Sequence, residues 1–138
     1  MAHRRAMTQV QFESAVLQRD NGVMQSIFRI AFWAALAFAV TMAVLPHPPQ
    51  LAGEMNDKFQ HMMAFATLAV LAVLAYPSMS KIRIALSLVA VGAGIEIVQM
   101  IPVLHRDAEW MDLAADTCAI LLMLAVVTLA FGWHRRTR

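Results

Sequence analysis

The chain is poor in charge. Only 14% of its 138 residues are Asp, Glu, Lys or Arg, against 60% hydrophobic, and its mean hydropathy is +0.61. A soluble domain carries about 25% charged and about 45–50% apolar residues, so a water-soluble monomer is all but excluded. Cysteine is nearly absent, with a single residue, and Gly and Pro number five each. Those scarcities exclude a disulfide scaffold, a collagen-like repeat and a disordered chain. No internal repeat or low-complexity tract stands out. A membrane strand barrel needs alternation of polar and apolar positions, and the apolar runs do not alternate. What remains is one helical membrane domain.

Crossing a hydrocarbon core of about 30 Å takes about 20 apolar helical residues. The runs that fit are Ile27–Leu45, Met62–Tyr76, Ile84–Val103 and Leu113–Phe131. Arg29 lies near the start of the first and is placed to snorkel. Pro46, Pro48 and Pro49 stop that run, since proline lacks the N–H and clashes with the preceding turn. The second run is short unless Phe59, Gln60 and His61 join it. The expected fold is all-α: a bundle of four transmembrane helices over 27–132, preceded by a segment 1–26 and followed by a basic tail 133–138. Segment 1–26 reads either as an amphipathic interfacial helix or as a frayed tail. A cleaved signal peptide does not fit, because the apolar run begins too far in and no small-x-small site follows it.

Basic residues accumulate on the cytoplasmic side of a bilayer. Nine of the eleven here fall before or within the start of the first run, between the second and third, or in the tail. Only Lys58 and Arg106 lie in the alternate loops, and seven of the nine acids lie in or near those loops too (Glu54, Asp57, Glu96, Asp107, Glu109, Asp112 and Asp116). Both termini are therefore expected in the cytoplasm. The sequence pI of 9.2 then reflects topology, not nucleic-acid binding. Lone Cys118, inside the fourth run, reads as a small core residue.

Ionisable groups inside membrane helices are expensive and usually face protein or water. Here they fall in stripes at helical spacing: Asp57, His61, Phe65 and Leu68; Gly92, Glu96, Gln99 and Val103; Asp112, Asp116, Ala119 and Met123. The stripes direct Asp57, Lys58, His61, Glu96, Gln99, Arg106, Asp112 and Asp116 to one outward-facing pocket. Taken singly, several have plainer explanations. Asn56 is a good N-cap, and acids such as Asp57 and Asp112 suit a first helical turn. His105, Asp107 and Glu109 read as solvated loop residues. Glu96, deep in its run, needs Arg106, Lys58 or His61 as partner, or a proton of its own; an ion pair that locks the helices would also serve.

The segment Asp57-Lys58-Phe59-Gln60-His61-Met62-Met63-Ala64-Phe65 resembles the D-K-x-x-H-x-x-x-[FY] signature of VanZ-like membrane proteins. Gly92, Glu96 and Gln99 follow as G-x-x-x-E-x-x-Q, then Arg106, then Asp112 opening a D-x-x-x-N-x-x-G ending. Asp116 stands where the family has Asn, and Ala119 where it has Gly. The first adds a negative charge to an acidic site; the second keeps a small packing face. The resemblance spans Asp57 to Ala119. It implies a bacterial cell-envelope setting, in the inner membrane, and a family link to teicoplanin resistance without a settled biochemical activity.

Function reads in more than one class. A membrane enzyme acting on a lipid-linked or cell-wall substrate would use His61, Glu96 and Asp112 for proton transfer and Lys58 and Arg106 to hold phosphate or carboxylate. The other substrate-binding residues would be Asp57, Gln99 and Asp116. It lacks an obvious nucleophile; a divalent metal held by His61, Asp57, Glu96 and Asp112 is an alternative that no tight metal-ligand spacing supports, and no cofactor is expected. A non-enzymatic protein would use the same groups to bind an envelope component or to lock the helices. A small proton or solute carrier would use Glu96 and His61 as relays. Membrane lipids, and a lipid-linked cell-wall precursor, are the expected partners.

Overall fold

The computed structural model describes residues 2–46, 57–104 and 109–136, with side chains at 9, 11–46, 58–104 and 109–130. Helix α1 spans Ala2–Val44, α2 Asp57–Ala75, α3 Lys81–Gln99 and α4 Trp110–Arg136, with a 3-10 turn at Pro102–Leu104. No strand occurs among the described residues. Each helix contains a stretch long and apolar enough to cross a membrane. The chain is thus an all-α, multi-pass membrane protein with four spans, as its apolar runs require.

Helix ends follow local chemistry. α1 stops at Val44, just short of Pro46, and α2 stops at Ala75, just short of Pro77. Phe59, Gln60 and His61 do belong to α2, which lengthens its short apolar run into a span. Ser80 caps α3, its hydroxyl accepting the Arg83 N–H at 3.3 Å. α3 does not continue to Val103 as its run suggested. It ends at Gln99 with Met100 as C-cap, because Pro102 offers no N–H and biases Ile101 away from helix. Val103 therefore leaves the Gly92–Glu96–Gln99 stripe and is 72% exposed.

Residues 2–26 are one unbroken helix with the first span, and α4 likewise runs on through 133–136. At 1.5 Å per residue the 43 residues of α1 measure about 64 Å, roughly twice the hydrocarbon thickness. α1 meets the bundle from Gln25 to Ala43; the described side chains before Gln25 are exposed.

α2 is the hub and packs against all three other helices. Its inward stripe is Phe65, Leu68, Ala69, Ala72 and Val73, all buried, at i, i+3, i+4, i+7 and i+8. The alanines let neighbouring backbones approach, which is how helices associate where lipid is as apolar as the side chains. Ile84, Leu88 and Ile95 of α3, Ala119, Ile120 and Leu124 of α4, and Phe32 and Ala43 of α1 complete the interior. The opposite faces carry exposed Ile82, Leu86, Leu122 and Leu129, a surface suited to acyl chains. Cys118 lies on this outer face and is not a core residue. Two residues from both buried Asp116 and buried Ile120, it points about 200° away from the stripe they define.

At the Lys81 end of the bundle, the last carbonyls of α2 lack intrahelical donors. Arg29 Nε and Gln25 Nε2 reach across from α1 and donate to the Ala75 carbonyl at 3.2 and 3.3 Å. The Arg29 guanidinium also lies 5.4 Å from the centre of the Tyr76 ring, whose hydroxyl accepts the Trp33 indole N–H at 2.9 Å. Arg29 thus snorkels onto a helix end, where a cation is favoured.

Gly92 of α3 packs closely against side chains of α2 and α4. A Cβ there would stand 3.1 Å from Leu113 Cδ1 and 3.4 Å from Phe65 Cζ, whereas one at Gly94 would meet nothing within 4 Å. Gly92→Val is expected to cost about 1–3 kcal/mol through overpacking. Gly94→Val should leave stability nearly unchanged. Reversible unfolding in mixed micelles checks the pair.

Candidate polar site

At the bundle end opposite Lys81, the polar residues of α2, α3 and α4 come together in two layers. The outer layer is built on Lys58, in the first turn of α2. Its ammonium sits 2.7 Å from Glu109 Oε2 and 3.0 Å from Asp112 Oδ1. Glu109 immediately precedes α4, and its carbonyl accepts the Asp112 N–H at 2.8 Å. Asp112 lies in the first turn of α4, where the helix dipole favours a carboxylate. Lys58 therefore clamps the starts of α2 and α4 together.

The inner layer lies one turn deeper on each helix. His61 Nδ1 of α2 is 3.8 Å from Asp116 Oδ2 of α4, an electrostatic contact longer than a hydrogen bond. Asp116 is 2% exposed, and its other oxygen, Oδ1, is buried without a donor. Glu96, from α3, is 3% exposed and lies within electrostatic reach of Asp112, Asp116 and His61, with the Glu109 backbone close by. Its Oε2 is likewise buried without a donor. A buried polar atom left unpaired costs about 1–3 kcal/mol, and more when charged.

Gln99 serves the fold. Its Nε2 donates at 2.9 Å to the carbonyl of Ala43, one of the end carbonyls of α1 that no intrahelical donor reaches. The structure thus brings Lys58, His61, Glu96, Asp112 and Asp116 together and turns Gln99 toward α1. Arg106 and the side chain of Asp57 lie outside the described residues, as do Asn56, His105 and Asp107. Glu109, read from sequence as a solvated loop acid, is instead a partner of Lys58. Its position one helical turn before Asp112, at the start of an apolar run, was the available signal.

Chemically, the inner layer can accept hydrogen bonds and exchange protons through His61 and the carboxylates. Among the described residues, the Thr117 hydroxyl and the Cys118 thiol are not turned to it: the first donates to the Leu113 carbonyl at 2.7 Å, and the second faces outward. Among the described residues, no group of three or more His, Cys, Asp or Glu could hold a metal ion.

Because Asp112 is nearly buried and Glu109 is not, the two partners of Lys58 should respond differently. Lys58→Met should lower the thermal midpoint more than Glu109→Gln does. Asp112→Asn, added to Lys58→Met, should recover part of the loss by removing the stranded charge. A double-mutant cycle read by thermal unfolding of the detergent-solubilised chain checks this. An equal response to loss of either acid would contradict the clamp.

No family model, curated protein or solved structure matches the chain.

Proposed function

We propose that the chain is a VanZ-like integral membrane protein of the bacterial cell envelope, located in the inner membrane. Its polar site opens on the non-cytoplasmic side and binds, or acts on, a lipid-linked or cell-wall component. The observation that carries this reading is the convergence of buried Glu96 and Asp116, each with an unpartnered oxygen, beside His61 at one end of the bundle. A protein stabilised only by internal ion pairs gains nothing by leaving those atoms without donors.

The resemblance gains support from residues that carry no charge. Gly92 and Phe65 are fixed positions of the VanZ-like pattern, and here a Cβ on Gly92 would touch the Phe65 ring. The pattern can thus describe both the packing and the polar residues that it positions. Orientation is supported by Lys81 and Arg83, which occupy the first turn of α3, where the helix dipole disfavours cations. Membrane topology, not helix stability, accounts for them.

A carrier is the less favoured reading. No Asp, Glu, His, Lys or Arg occurs in 62–75, 84–95 or 117–130, so a relay beginning at Glu96 and His61 has no continuation through α2, α3 or α4. The helix-locking reading is favoured for Gln99, which donates to the Ala43 carbonyl, and for Lys58, whose ammonium pairs with Glu109 and Asp112.

Wild-type protein purified in mild detergent is expected to retain an envelope lipid detectable by mass spectrometry. Glu96→Gln and His61→Ala should lose it while still inserting and keeping helical content. Turnover of the retained molecule would make the protein an enzyme, and retention without turnover a binder. Loss of folding in both variants, or an empty wild-type site, would sink the reading in favour of internal helix locking.

A further inference from the structure

We infer that the inner layer recognises a primary ammonium group, presented by a lipid headgroup or by a soluble amine, through Glu96 and Asp116. This deepens the reading above by naming the chemistry of what the site takes, and it rests on that reading.

The argument begins with Lys58. From sequence it is a natural anchor for phosphate or carboxylate, but its ammonium is already set between Glu109 and Asp112 at 2.7 and 3.0 Å. An anionic ligand would have to break that clamp. The unmet valences of the site have the other sign: Glu96 Oε2, Asp116 Oδ1 and Asp112 Oδ1 are buried without a hydrogen-bond donor, and of the three only Asp112 Oδ1 has the Lys58 ammonium beside it, at 3.0 Å. Four carboxylates (Glu96, Glu109, Asp112 and Asp116) face Lys58 and His61, so negative charge remains in excess even with an imidazolium. By sequence, the adjoining segments add the acids Glu54, Asp57 and Asp107 against the single cation Arg106.

The complement of two stranded carboxylate oxygens is a cation with several N–H donors. Among the described residues the carboxylates and His61 do not form a metal cluster. A quaternary ammonium satisfies charge but carries no donor, so a primary ammonium is the better match to unpaired acceptors.

Depth points the same way. Glu96 lies three residues before the end of α3, and Asp116 six after the start of α4. At 1.5 Å per residue those offsets are about 5 and 9 Å. The headgroup layer on each side of a bilayer is about 5–8 Å thick. Because α3, at 19 residues, is about as long as the hydrocarbon core is thick, the pair lies about one to two helical turns inside the apolar layer, directly below the headgroups of this face.

The test places the full-length chain in phosphatidylglycerol nanodiscs doped with equal mole fractions of phosphatidylethanolamine or phosphatidylcholine. Bound lipid is read by native mass spectrometry and stability by thermal midpoint. The expected result is selective retention of phosphatidylethanolamine, reduced about tenfold or more in Glu96→Gln and in Asp116→Asn, and partly restored in Glu96→Asp. In phosphatidylglycerol discs alone, stabilisation by free ethanolamine supports the same recognition with a soluble amine as source. Equal retention of the phosphatidylethanolamine and phosphatidylcholine headgroups, a preference for phosphatidylglycerol, or stabilisation by calcium but not by ethanolamine would overturn it. If the variants fail to fold, the headgroup selectivity of the wild type decides alone. Selective retention of an amine-free envelope molecule at Glu96 would refute the ammonium while leaving the proposed function standing.

Discussion

The bilayer interior offers no water, so each polar group placed there must find its partner in the protein. That constraint organises this bundle. Within the helices, Thr41, Thr67, Thr117 and Thr128 fold their hydroxyls back onto carbonyls four residues earlier. At helix ends, where the backbone runs out of its own partners, neighbouring helices supply side chains. Arg29 and Gln25 of α1 serve the end of α2, and Gln99 of α3 serves the end of α1. The central position of α2 follows, because it both receives such a cap and begins with the lysine that holds α4.

Against this background Glu96 and Asp116 stand out. The structure satisfies minor hydroxyls and terminal carbonyls, yet leaves an oxygen of each of these two carboxylates without a donor. Both lie beneath the Lys58 clamp, on helices drawn together at Gly92. The clamp and the close packing hold the acids in place without satisfying them. That combination, an ordered scaffold around unspent acceptors, is what separates a binding site from an ion-pair lock.

The long α1 adds a further physical point. An isolated helix of this kind is marginal in water, and only the stretch from Gln25 onward packs on the bundle. Segment 2–26 is continuous in backbone with the membrane span while differing from it in composition and exposure. Its exposed Phe12, Leu17 and Val23 are interspersed with polar residues, and its backbone is helical from Ala2 onward.

Much of the architecture was legible in the residues themselves. The count of the spans follows from the apolar runs, the ends of α1, α2 and α3 from the prolines that follow them, and the stripes on α2 and α4 from helical spacing. Helical periodicity says which residues share a face, and the cost of exposing them to lipid says that the face turns inward. It does not say which neighbour that face meets. Lys58 and Glu109 are 51 residues apart, and Gln99 and Ala43 are 56 apart, so their pairing depends on how helices rotate and stack. Only the tertiary structure could therefore separate the polar groups that hold the bundle, Lys58 and Gln99, from those it leaves unsatisfied, Glu96 and Asp116.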